Sequence, residues 1–140
     1  MKQAFTLLIV LIGVFHLGYQ VVGYRAVYQV AYGAITLMAL MIAATFLWLF
    51  IVRATPLALG MAYSWAGAGF VLGWWWVFNL SGQPDWLRES PILFTFLPFY
   101  FVGAVLHFSV IHRSFGLHGA AFLLPILGAI AISTGVFLLV

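Results

Sequence analysis

The chain has 140 residues, 66% of them hydrophobic and 5% charged, whereas an ordinary soluble domain is about a quarter charged; no water-soluble fold of this size can hide so much apolar surface. Five Lys and Arg against two Asp and Glu give a net charge of +3, but the basic residues stand singly along the chain, which excludes a nucleic-acid-binding patch. The absence of cysteine excludes disulfides, thiolate metal sites, iron–sulfur clusters and thiol catalysis.

The amino-terminal apolar run continues to about residue 22 with no small-residue cleavage signal after it, so it reads as a retained span and not as a signal peptide. A helix needs roughly 20 mainly apolar residues to cross a hydrocarbon core about 30 Å thick. Residues 4–22, 30–52, 57–80, 92–111 and 119–140 each meet that length, and each is expected to be helical because lipid offers backbone amides no other partner. The expected fold is therefore an all-α, polytopic membrane bundle of five transmembrane helices forming one domain. A four-span bundle with one apolar run lying in the interface is the alternative. The gaps between spans are short, which makes successive helices antiparallel neighbours.

Positive residues flanking the spans set orientation. One side carries Lys2, Arg53 and Arg113, with His112 and His118 nearby, and the other carries Arg25 and Arg88. This predicts an amino terminus in the cytoplasm and a carboxyl terminus outside, in what the compact chain suggests is a bacterial cytoplasmic membrane.

On that layout the first two spans are joined on the outer side, as are the third and fourth. Tyrosine and tryptophan favour the membrane boundary because the ring sits among acyl chains while its polar tip meets headgroups or water. Tyr19, Tyr24, Tyr28, Trp74, Trp75, Trp76 and Trp86 are accordingly expected to form an aromatic rim. His16 and Gln20 lie four residues apart on one face of the first span, and polar side chains at that depth face protein or a cavity because lipid solvates them poorly. Both are expected to hydrogen-bond another helix.

Small residues let membrane helices approach closely. The third span offers Gly60, Ser64 and Ala68 at four-residue intervals, and Gly69 with Gly73; the fifth offers Gly128, Ala131 and Gly135 on one face. Pro98 and Pro125 fall within the fourth and fifth spans, where each is expected to kink its helix.

Catalytic chemistry finds little material. The two acids, Asp85 and Glu89, sit in a loop with Arg88 between them, and no serine has a base and carboxylate in reach of the kind a hydrolase triad needs. No metal-ligand cluster, phosphate-binding glycine loop or dinucleotide fingerprint occurs, so the protein is expected not to be an enzyme. Gly103 precedes His107 by four residues. This spacing resembles that of bacterial antenna polypeptides, in which a flat macrocycle lies against the helix with the imidazole on its metal. The resemblance covers residues 103–107 and implies His107 as a single-histidine ligand of a haem or chlorophyll.

Two functions of different class fit these residues. The first is a small non-catalytic subunit that docks in a larger membrane complex, in contact with lipids and other membrane proteins, and contributes to a site for a quinone, carotenoid or other lipid-like cofactor. The second is a small homo-oligomeric transporter or channel. Candidate ligand-binding residues for either are His16, Tyr19, Gln20, Arg25, Gln29, Tyr32, Asn79 and Trp75. The inner half of the spans offers only Ser109 and the His107 region as polar lining, which weighs against a conduit.

Overall fold

The computed structural model describes residues 2–116 and 119–139; His118 and Val140 lie outside the described residues. Every regular element described is a helix: α1 (Lys2–Val22), α2 (Tyr24–Arg53), α3 (Pro56–Leu80), a short α4 (Asp85–Arg88), α5 (Ile92–Ser114) and α6 (Leu124–Leu139), the last preceded by a 3-10 turn at Ala121–Leu123. Counting α4 and α5 as one run, and the 3-10 turn with α6, five helical segments are long and apolar enough to cross a membrane. The chain is an all-α, multi-pass membrane bundle.

The helix ends follow backbone chemistry more closely than hydropathy. Gly23, at φ 84°, is the single residue between α1 and α2. No breaker lies between it and residue 30, so the polar stretch expected as a loop forms the first turns of α2. Pro56 opens α3 at a position where a missing N–H costs nothing. Pro125 likewise stands in the first turn of α6, so the kink expected there does not arise. The loop after α3 also contains order: α4 turns Leu87 inward against Trp74 and Phe78.

α3 is the central helix, packed antiparallel against α2 on one side and α5 on the other. Glycine makes both contacts close. Toward α2, a Cβ at Gly69 would lie 2.6 Å from Leu40 Cδ2, and one at Gly33 would lie 2.7 Å from the indole of Trp76. Toward α5, a Cβ at Gly103 would lie 2.7 Å from the backbone nitrogen of Ser64, and Gly60 and Gly67 receive the backbone of His107 and Tyr100. Gly60 and Ser64 thus lie against α5, and Gly69 and Gly73 against α2. Gly67, buried, takes the place on the α5 face where the spacing pointed to Ala68, which is half-buried.

Two members of the expected aromatic rim belong to this interior. Trp74 is only 8% exposed and stacks on Phe78 at 5.4 Å, and Trp76 covers Gly33. Three adjacent tryptophans on a helix point about 100° apart, so with α2 and α5 packed on α3 they cannot all face lipid. Trp75, Trp86, Tyr19 and Tyr24 remain outward, with Trp86 75% exposed.

α1 and α6 differ from this core, for neither buries a single described residue. α1 meets α2 along a shallow furrow, and α6 stands off from α5 across a groove of about 570 Å³. On α6, no described residue lies within 4 Å of where a Cβ at Gly128 or Gly135 would stand.

Candidate binding cleft between α2 and α3

The antiparallel core sets Arg53 and Arg113 at one end and Arg25 and Arg88 at the other. At the Arg25 end, the first turns of α2 face the last turn of α3 and enclose a cleft of about 540 Å³, lined by Tyr24, Arg25, Tyr28, Gln29, Asn79 and Gln83 with Gly82. That volume lies within the range of small-molecule sites.

The wall on the α3 side is built by a helix-ending motif. Gly82 adopts φ 79° and Gln83 φ 59°. The Gln83 N–H donates to the Phe78 carbonyl at 2.9 Å and the Gly82 N–H to the Asn79 carbonyl at 3.3 Å. This pair of reversed bonds is the Schellman closure, which needs a left-handed residue where Gly82 stands. It folds Gln83 back so that its Nε2 donates to Asn79 Oδ1 at 2.9 Å. Asn79 Nδ2 in turn donates to the Trp75 carbonyl at 2.8 Å and across the helix pair to the Tyr28 hydroxyl at 3.3 Å.

The α2 wall is a tyrosine ladder. Tyr24, Tyr28 and Tyr32, spaced four residues apart on one helical face, stack with ring centroids 5.8 Å and 4.2 Å apart. The Tyr28 oxygen accepts from Asn79 and its hydroxyl is hydrogen-bonded to Tyr32 along the ladder. Gln29 makes no hydrogen bond among the described residues, and its Oε1 is buried without a donor. Arg25 has no acidic partner there either: the one described ion pair joins Arg88 to Asp85 at 3.5 Å on the exposed surface. Recognition chemistry is therefore available at Arg25 and Gln29, whereas Tyr28, Asn79 and Gln83 are occupied in holding the walls.

The residues expected to bind a ligand divide into three groups. Arg25, Gln29 and Asn79 meet in the cleft. His16, Tyr19 and Tyr32 line the furrow of about 470 Å³ between α1 and α2, which shares Tyr24 and Tyr28 with the cleft. Gln20 and Trp75 line neither and are exposed. The expected bonds from His16 and Gln20 to another helix are not made among the described residues, since α1 touches its neighbour too loosely to bring acceptors to them. Tyr28 and Gln83 were not among the candidates. Their signal was the four-residue tyrosine spacing and an Asn–Gln pair at i, i+4.

His107 is half-buried and edge-on to Phe108 at 6.2 Å. The space that Gly103 opens beside it is filled by Ser64, which leaves no room there for a flat macrocycle. His112 is buried beside Phe122, its Nε2 without a partner among the described residues.

The fold and this site define a multi-pass helical membrane protein with a polar cleft at one end of its core. No known protein family, characterised protein or solved structure matches the chain.

Proposed function

We propose that the protein is a small, non-catalytic subunit of a larger membrane assembly, which it joins through α6. The observation that carries this reading is the contrast between two sets of small residues. Those on α3 are filled to contact by α2 and α5, whereas a Cβ at Gly128 or Gly135 meets no described residue within 4 Å, and Ala131 on the same face of α6 is exposed. Small residues on a membrane helix bring stability when another helix closes on them, because lipid supplies no hydrophobic drive between helices. The partner is accordingly another membrane protein.

The apolar groove between α5 and α6, flanked by Phe101, Phe108, Pro125 and Ile130 with hydroxyls at Ser133 and Thr134, supports a role in seating a quinone, a carotenoid or a similar lipid-like cofactor next to that partner. A solute conduit within one chain finds less support. Beneath the cleft, the α2–α3 seam closes through Gly33 on Trp76, Thr36 on Gly73 and Leu40 on Gly69. The balance of flanking charges supports an amino terminus inside and the Arg25 end outward, and the compactness of the chain supports a bacterial cytoplasmic membrane.

Purification from native membranes in a mild detergent tests this. The expected result is a defined complex with other membrane proteins that Gly128→Leu or Gly135→Leu dissociates while leaving the thermal stability of the separated chain unchanged. A chain that purifies alone or only with its own copies, and moves a solute in liposomes, contradicts it.

A further inference from the structure

We propose that the cleft and the adjoining furrow form one binding site for a glycerophospholipid, with its phosphate against Arg25 and an acyl chain in the furrow between α1 and α2. The inference is independent of the assembly partner and rests on four observations.

Arg25 is a cation at the rim of an apolar bundle with no described acid to pair with. The side chain is exposed and so able to reach a ligand, and its planar guanidinium fork matches phosphate oxygens. One further group is uncommitted beside it. The Gln29 amide makes no hydrogen bond among the described residues, and its Oε1 is buried without a donor. Arg25 and Gln29 together present donors for phosphate oxygens and an acceptor for a hydroxyl or ammonium on the same headgroup.

The cleft is not closed. Tyr24 and Tyr28 line both it and the furrow, so a polar space of about 540 Å³ adjoins an apolar one of about 470 Å³ across the tyrosine ladder. The furrow continues past Val27, Ala31 and Ile35, the direction an acyl chain takes from a headgroup.

The level also fits. α2 has 30 residues, about 45 Å at 1.5 Å per residue, against a hydrocarbon core about 30 Å thick. With Arg53 at the opposite boundary, the turns bearing Arg25 and Gln29 reach the headgroup layer. The outward Tyr19, Tyr24, Trp75 and Trp86 mark the same level.

Phosphate chemistry could also come from a free anion, and the test separates the two. The protein is purified, exchanged exhaustively into phosphate-free detergent and titrated with three probes followed by native mass spectrometry: dioleoylphosphatidylglycerol, dioleoylglycerol without phosphate, and glycerol 3-phosphate without chains. Binding of the intact phospholipid well ahead of both fragments is expected. Arg25→Gln weakens it by about tenfold or more, the scale of a lost charge-assisted pair, and Arg88→Gln leaves it unchanged. Ala31→Leu narrows the furrow without touching the cleft and also weakens it, which keeps the test decisive if the Arg25 variant fails to fold. Equal binding by glycerol 3-phosphate assigns the cleft to a free anion and overturns the proposal. Equal binding by dioleoylglycerol, or phospholipid binding indifferent to both Arg25→Gln and Ala31→Leu, overturns it as well.

Discussion

Ala54 closes α2 at φ 48°, ψ 35°, with its N–H on the Phe50 carbonyl at 2.7 Å. A side chain in this left-handed conformation costs roughly 1 kcal/mol or more, which glycine avoids. The tight turn into Thr55 and Pro56 forces the conformation, because Pro56 must start α3. Ala54→Gly is therefore expected to stabilise the chain by about 0.5–1 kcal/mol, since glycine's larger unfolded-state entropy offsets part of the relief. Thermal denaturation in detergent should show a midpoint higher by a few degrees; a lower midpoint would mean that the turn does not need that geometry. Other residues show the limit of sequence at this scale. Trp74, Trp75 and Trp76 share one chemical preference for the boundary, and only the packing of α2 on α3 decides which of them is buried. His16 and Gln20 were legible as polar groups at depth, but a single chain does not state whether their company belongs to that chain.

At the scale of the element, small-residue spacing was informative and ambiguous at once. Gly60, Ser64, Gly69 and Gly73 were readable as contact positions from i, i+4 recurrence on α3, yet the same recurrence on α6 ends in empty space. Gly33, Gly67 and Gly103 escaped notice as contact positions because none has a small residue four positions away that completes the same contact; their partners are a Trp, a Tyr and a Ser on other helices. The difference can be measured. Gly103→Ala would set a methyl group 2.7 Å from the Ser64 backbone nitrogen, and since a backbone cannot swing aside, α3 and α5 must separate. A loss of roughly 1–3 kcal/mol is expected, as for overpacking a tight core. Gly69→Ala meets chiefly the flexible end of Leu40 and should cost less. Gly128→Ala and Gly135→Ala should leave the isolated chain at least as stable, because alanine favours the helix by about 1 kcal/mol over glycine. Thermal melts of the four variants rank them, and a Gly128→Ala loss as large as that of Gly103→Ala would refute the open α6 face.

For the whole molecule, composition alone fixed the solvent. With 66% hydrophobic residues and 5% charged, the class, the helical architecture and five segments long enough to span were all readable before any contact was known. The cleft was half readable: Arg25, Gln29 and Asn79 were chosen for polarity, but the first turns of α2 were assigned to a loop, so the tyrosine ladder that forms the wall was missed. The uneven packing was not legible, because α2, packed in the core, is as apolar as α1 and α6, and only tertiary contact separates a three-helix core from two helices that bury no described residue. The open face of α6 is the claim on which the account of function rests. A photo-crosslinking residue placed at Ala131, with one at Ile132 as the control, in intact native membranes tests it most directly. The account predicts a covalent adduct to a different membrane protein from position 131 and a weaker one, or none, from position 132. Adducts to lipid alone, or only to a second copy of this chain, would contradict it.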